Sequence, residues 1–501
     1  MNWKSSLTLL AAIAALSLSS CSGLNDTCTT NCNNGDANVT LTIFDTPPTG
    51  ASVLAFSLPI VGISLTPQSG SPVAIYSPSS VQPTELTRLQ ADSSLIVSGV
   101  TVSAGNYTSL NITIAATSGI FINTTGSSIT YKLNGTNTTC VNFAVCNLPA
   151  GAATTVNVPI TLSLNSNQNQ WIGIDVNLNN AITSTNGITV DFTQANVFTA
   201  TTAARAGLPS GAVDTIEDFT GKVTALSNSG ITVQNAITGQ SLSAVVTSNT
   251  GLSVVASQYN TGCGSSNPAT CIQVGSIVSL SANLASDGTL TATQIDGIDT
   301  TATDEIEGVI YPVEAAGKVG LILLDKTVAS SNQTLAGSTF GTPYLLDASS
   351  TTATYSVDTG PLTNSGISTV GFSGSGNLLA GQVVRVQVSN VAVSNNLNTA
   401  TAVNVLLRWS RVSATVNSTG GSTFTLTSIP VYLSGGTNGL NPSVPVTPQV
   451  ITYQGYTAFD GINDVTGLTV SSPVAIRALF FDVPPSGSAQ YSFQAAKVRV
   501  P

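Results

Sequence analysis

From Val39 the chain alternates: Val39, Leu41 and Ile43 are apolar, and Thr40 and Thr42 between them are polar. A two-residue period puts one set of side chains on each face of an extended strand, and a helix cannot satisfy it. Comparable runs fall at residues 53–56, 60–65, 73–76, 109–114, 119–122, 129–133, 156–164 and 171–178, with turn residues such as Asp45-Thr46-Pro47-Pro48 between them. Short strands at this spacing predict an all-β chain. One helical turn is predicted near residues 84–89, capped by Thr84, with Leu86 and Leu89 on one face. Only 7% of the residues are charged, against about 25% in an ordinary soluble domain. Ser, Thr, Asn and Gly supply the polarity instead, and threonine suits the solvent face of a strand. The 42% apolar content is enough for packed cores, and 501 residues suggest about three or four domains.

The first twenty residues have the parts of an export signal. Lys4 provides a positive start, residues 7–16 are apolar, and small residues follow. This apolar run is shorter than the about 20 residues that span a bilayer. It ends at Leu18-Ser19-Ser20-Cys21, which resembles the lipobox of bacterial lipoproteins. The resemblance implies cleavage after residue 20, acylation of Cys21, and a tether over residues 21–37. Ser22 in place of aspartate implies sorting to the outer membrane. Each buried methylene contributes about 0.8 kcal/mol, so two or more acyl chains hold firmly. The alternative is an ordinary secretory signal that leaves Cys21 as a thiol.

Of the seven cysteines, the six other than Cys21 fall into local pairs: Cys28 with Cys32, Cys140 with Cys146, and Cys263 with Cys271. An even set in an exported chain reads as disulfides. Free thiols are the alternative. Zinc is a poorer one, because no pair has Cys-x-x-Cys spacing and the chain has no histidine.

Leu41-Thr42-Ile43-Phe44-Asp45 with its prolines, the strand Val61-Gly62-Ile63-Ser64-Leu65, the Leu86-x-x-Leu89 turn and Ala104-Gly105-Asn106-Tyr107 are similar to the N-terminal domain of unknown function found on bacterial lipoproteins. The last element resembles the edge of prealbumin-like sandwiches, where the tyrosine packs as the strand leaves its turn. The resemblance implies a β-sandwich over residues 38–202 and no known activity.

Beyond residue 211 one plan recurs. The copies open at Phe219-Thr220-Gly221-Lys222-Val223, at Ile306-Glu307-Gly308-Val309-Ile310, and at Arg411-Val412-Ser413-Ala414. They close through Gly275-Ser276-Ile277-Val278, Gly381-Gln382-Val383-Val384, and Pro473-Val474-Ala475-Ile476, each followed by a final strand. A glycine before a β-branched pair, then a turn, then a last strand is how a small closed barrel can finish. The units resemble an uncharacterised family of exported bacterial proteins with small OB-like barrels in tandem. That implies barrels at residues 213–299 and 303–408, the second with an insertion near 330–375. A third would span residues 409–501, although its copy lacks the glycine.

Without histidine there is no Ser-His-Asp or Cys-His pair, while carboxylate pairs remain available. Asp358-Thr359-Gly360 matches the aspartic-protease triplet but occurs once, so it reads as a turn. Two acidic clusters stand at the domain junctions: Asp214, Glu217 and Asp218 at the first, and Asp296, Asp299, Asp304, Glu305 and Glu307 at the second. They read as wet, charged linkers, or as weak candidates for a structural Ca²⁺ that would stiffen a rod of domains. Trp171 and Trp409 read as core, with sugar stacking as the alternative. Loss of Lys4 with the signal leaves 12 of 13 basic residues against 23 acidic ones, which argues against nucleic acid as a partner. The sequence thus predicts a lipid-anchored envelope protein that binds, scaffolds or adheres without catalysis, with an unidentified protein or glycan partner. Its rivals are a carbohydrate-active enzyme using a carboxylate pair, and a structural spacer.

Overall fold

The computed structural model describes residues 35–500 except 47–52, 255–271, 435–446, 482–491 and shorter stretches of one to four residues. The chain is all-β: two facing sheets with two small two-stranded ones beside them, then three sheets of identical strand order.

In the first unit, Asp36–Thr46 sits centrally in a four-stranded sheet, parallel to Asn169–Asn177 and antiparallel to Ser94–Ser103. The facing sheet is built on Val53–Pro67, a single strand where two short ones were predicted. It runs through Pro59, which sits opposite Pro83, with register shifts near by. The alternation at Val39, Leu41 and Ile43 places them in the core between the sheets, with Leu110 and Ile112 of the facing sheet and Ile174 of the adjoining strand. Tyr107 is buried where its strand leaves the turn, and its hydroxyl donates to the Ser103 carbonyl at 2.7 Å. The predicted helical turn is a 3-10 turn at Thr87–Gln90, and Thr84 does not cap it. Thr84 lies in a strand, and the Glu85 carboxylate accepts the Thr87 and Arg88 amides instead. Leu86 and Leu89 are both buried, as their spacing requires.

Each of the other three sheets has six strands, spanning residues 212–299, 305–408 and 410–499. In every copy the order is third, second, first, fifth, sixth, fourth, and the third strand also pairs with the sixth. That pairing closes five strands into a barrel, and the fourth strand continues along the same edge of the sixth. Both strands lie parallel to the sixth in every copy. The interiors are aliphatic and aromatic, with Val223, Leu280 and Ile295 in the first barrel, Leu321, Val386 and Val405 in the second, and Phe424, Ile476 and Phe493 in the third.

The turn entering the fifth strand shows why the third copy escapes a glycine-based reading. Gly275 (φ 103°) donates to the Val223 carbonyl, and Gly381 (φ 84°) donates to that of Ile310. Ser471 makes the same bond to Val416 at φ 71°, a left-handed conformation that a non-glycine residue adopts at a cost of about 1–2 kcal/mol. The geometry is kept although the residue is not.

The turn gives a paired test by denaturant unfolding. Gly275→Ala introduces a Cβ whose nearest neighbour outside the adjacent residues is Lys222 Cε at 3.8 Å, so it measures backbone strain alone and is expected to cost about 1–2 kcal/mol. Ser471→Gly relieves the same strain and is expected to be neutral or to gain up to about 1 kcal/mol after the entropy of glycine is counted. A loss on Ser471→Gly would contradict the shared turn.

Candidate functional site

The most distinctive site is the junction of the four units. The inner strands of each barrel are buried on both faces: Glu305–Tyr311 and Ser492–Arg499 carry no exposed residue. The face of these strands turned away from the barrel interior holds charged groups. All seven arginines of the chain, at 88, 205, 385, 408, 411, 477 and 499, lie at this junction. Five are buried, and Arg88 and Arg205 keep only 16% and 15% side-chain exposure.

The ion pairs join all four units in one network, the second and third barrels through the Asp218 they share. Asp218 of the first barrel accepts Arg408 Nη2 of the second at 2.6 Å and Arg411 Nη2 of the third at 2.8 Å. Arg411 also holds Asp92 of the sandwich at 2.6 Å. Arg499 of the third barrel donates to the Asp92 carbonyl at 2.7 Å and to Asp460 at 2.8 Å. Arg205 joins Asp460 to Asp214, and Lys497 reaches Glu217 at 2.9 Å. Within the second barrel Arg385 binds Glu305 at 2.6 Å, Glu307 at 3.1 Å and Asp325 at 3.3 Å, and Arg88 of the sandwich pairs with Glu307.

Local structure aims these groups. Asp218 has φ 53° at a register shift of the first strand, a bulge that turns its carboxylate toward the junction. Counting five residues back from Val223, Ile310 and Val416, the partners of the shared turn, gives Asp218, Glu305 and Arg411. The first and second barrels thus carry a carboxylate at this position and the third an arginine. Asp218 and Arg411 attract one another directly, and Glu305 pairs with Arg385 of its own barrel.

The eight acidic candidates are therefore neither wet linkers nor a calcium cage. Seven are buried or nearly so, and arginine, lysine, hydroxyl or amide groups occupy them. Asp304 caps the loop at Ala329 and Ser330. Among the described residues no group of three acidic, histidine or cysteine side chains could hold a metal ion. Alternation cannot tell a polar face that meets water from one that meets another domain, and here the second case applies. The available signal was that in a chain so poor in charge, Arg385, Arg411, Arg477 and Arg499 stand inside apolar strands.

Asp358 is buried against Arg408, and its carboxylate accepts the Gly360 amide at 3.1 Å, so the Asp-Thr-Gly triplet is a paired turn. Trp171 is buried, and its indole N–H donates to Thr42 Oγ1 at 2.9 Å; Thr42 in turn donates to Asp214. Trp409 is fully buried, with the Arg477 guanidinium 4.7 Å above its ring. Neither indole can stack on a sugar. Cys140 and Cys146 form a disulfide, while Cys21, Cys28, Cys32, Cys263 and Cys271 lie outside the described residues.

One open concavity of about 500 Å³ lies at the end of the first barrel, within the range of ligand sites. Ser227, Ser229, Thr232 and Ser243 line it beside Leu226 and Val245, and none of its lining residues is ionisable.

Residues 36–205 match the profile of a domain of unknown function (DUF4382). No curated protein matches the chain. Among solved structures it is similar to a multidomain protein with nucleic acid binding domains from Streptococcus pneumoniae TIGR4, at 9% identity, covering 58% of this chain and 75% of that one. The TM-score is 0.10, so this likeness supports no argument about fold or function.

The junction sets the pH response. Burial pushes the Asp218 carboxyl up, but Arg408 and Arg411 outweigh it and hold it well below the usual range; Arg499 and Lys497 do the same for Asp460. Stability from these groups is present above the unfolded value of 3.8 and is lost as pH falls below it. Glu305 behaves oppositely, since burial outweighs Arg385 and, with Asp299 adjoining, pushes it up to about 7. Its contribution is complete below the unfolded value of 4.5 and is lost as pH rises to about 7. Burial likewise raises Asp175 to about 6. Melting temperature is expected to peak near pH 4–5, and Glu305→Gln should flatten its decline between pH 5 and 7. A wild-type optimum above pH 7 would contradict the assignment. Asp218→Ala leaves Arg408 and Arg411 short of a buried partner and is expected to cost about 3–5 kcal/mol in urea unfolding.

Proposed function

We propose that this chain is an exported, lipid-anchored scaffold of the cell envelope that binds a partner without catalysis. It comprises a prealbumin-like sandwich and three OB-like barrels held as one body. The strand order in each barrel, with third and sixth strands parallel, supports the OB-like reading. The observation that carries the functional reading is the ion-pair junction. It engages the acidic clusters from which a carboxylate pair could have been drawn, and it holds them inside the molecule, away from any substrate. The uncharged concavity on the first barrel, where hydroxyls alternate with aliphatic side chains, suits an uncharged partner such as a neutral glycan or a neutral protein face. Export and the Cys21 anchor rest on the Leu18-Ser19-Ser20-Cys21 resemblance and agree with the Cys140–Cys146 disulfide.

Mass spectrometry of the native protein is expected to find an acylated N-terminal Cys21; an intact Met1 would refute the anchor. Glycan-array and envelope pull-down experiments are expected to capture a partner unchanged. Ser243→Arg, which sets a charge in the concavity, should weaken capture at least about tenfold at an unaltered melting temperature. Turnover of a captured glycan would contradict the non-catalytic reading.

A further inference from the structure

Where the sandwich meets the barrels, a cavity of about 70 Å³ is lined from all four units: Arg88 and Asp92 of the sandwich, Glu217 of the first barrel, Leu324 of the second and Arg411 of the third. Three buried polar atoms on these residues have no protein partner: Arg88 Nε, Asp92 Oδ1 and Glu217 Oε2. The rest of each side chain is engaged. Arg88 Nη2 meets Glu307, Asp92 Oδ2 takes Arg411 at 2.6 Å, and Glu217 Oε1 takes Lys497 at 2.9 Å. What remains is one N–H donor and two carboxylate acceptors.

A buried polar group left unpaired is destabilising, so three on one lining call for an occupant. A cation would satisfy the two carboxylates but would face the Arg88 and Arg411 guanidiniums. The other two carboxylates of the lining are already engaged, Glu85 by the Thr87 and Arg88 amides and Asp218 by Arg408 and Arg411. An anion would satisfy Arg88 and be repelled by Asp92 and Glu217. Water donates two hydrogen bonds and accepts two, which matches the free set. The volume exceeds the about 10–15 Å³ that one water needs. We propose that this cavity is a structural hydration site, where a small cluster of ordered water joins the sandwich to the first barrel within the ion-pair network. Its hydrogen bonds are made by the sandwich and the first barrel together, so it forms only when the two are docked.

The test is a crystal structure of the full chain, grown with rubidium as the only monovalent cation and refined at a resolution that shows ordered water. Expected is water within hydrogen-bond distance of Arg88 Nε, Asp92 Oδ1 and Glu217 Oε2, without anomalous signal. Rubidium signal in the cavity, density for a larger molecule, or closure of the three side chains on one another would overturn the proposal. The same structure of Glu217→Gln provides a second arm. A water can turn to meet an amide, so it should stay in place, and its loss would count against the site.

Discussion

The attraction between Asp218 and the two arginines that converge on it, Arg408 and Arg411, is the constraint on which the arrangement of this protein depends. Three β-barrels and a sandwich each have an adequate apolar interior and could fold as separate beads. The network gives them one geometry relative to one another. Buried ion pairs contribute little net stability because desolvation offsets their attraction, but breaking one by removing a partner is expensive. Their effect is therefore selective: an arrangement that parts Asp218 from Arg408 and Arg411 is disfavoured, and the native one sets six of the seven arginines against carboxylates.

The repeats make this selectivity necessary. Three barrels of the same strand order offer several ways to pack, and similar surfaces invite misassembly. Placing Asp218 in the first barrel and Arg411 at the corresponding position of the third reduces the ambiguity, since these two attract one another while like positions do not. A charge-poor sequence suits this scheme, because exposed lysines and arginines that would compete for the same carboxylates are few. The outer surface is left to Ser, Thr, Asn and Gly, a chemistry that fits contact with neutral partners.

The fold class was legible because a two-residue period leaves no other option, and Val39, Leu41 and Ile43 face the core as that period demands. The glycine turn at 275 and 381 marked two barrels, and the third was read at 409–501 without that mark, because Ser471 holds the same backbone without the same residue. The junction was illegible for a different reason. Alternation in Pro473–Phe481 and Ser492–Arg499 reports which residues share a face, and it carries no information about what that face meets. Glu305 and Glu307 therefore looked like solvent-facing charge in a linker, whereas they lie against Arg385 in a strand buried on both sides. Position in the assembled molecule, set by partners about eighty residues or more along the chain, decided their chemistry.

The central claim is that four β-units behave as one cooperative body. Scanning calorimetry of the full chain, compared with hydrogen exchange followed unit by unit, addresses it most directly. The account predicts a single transition whose calorimetric and van't Hoff enthalpies agree, with the slowest amides of the sandwich and of all three barrels opening at one common free energy. Separate transitions for the sandwich and the barrels, with independent protection in each, would contradict it.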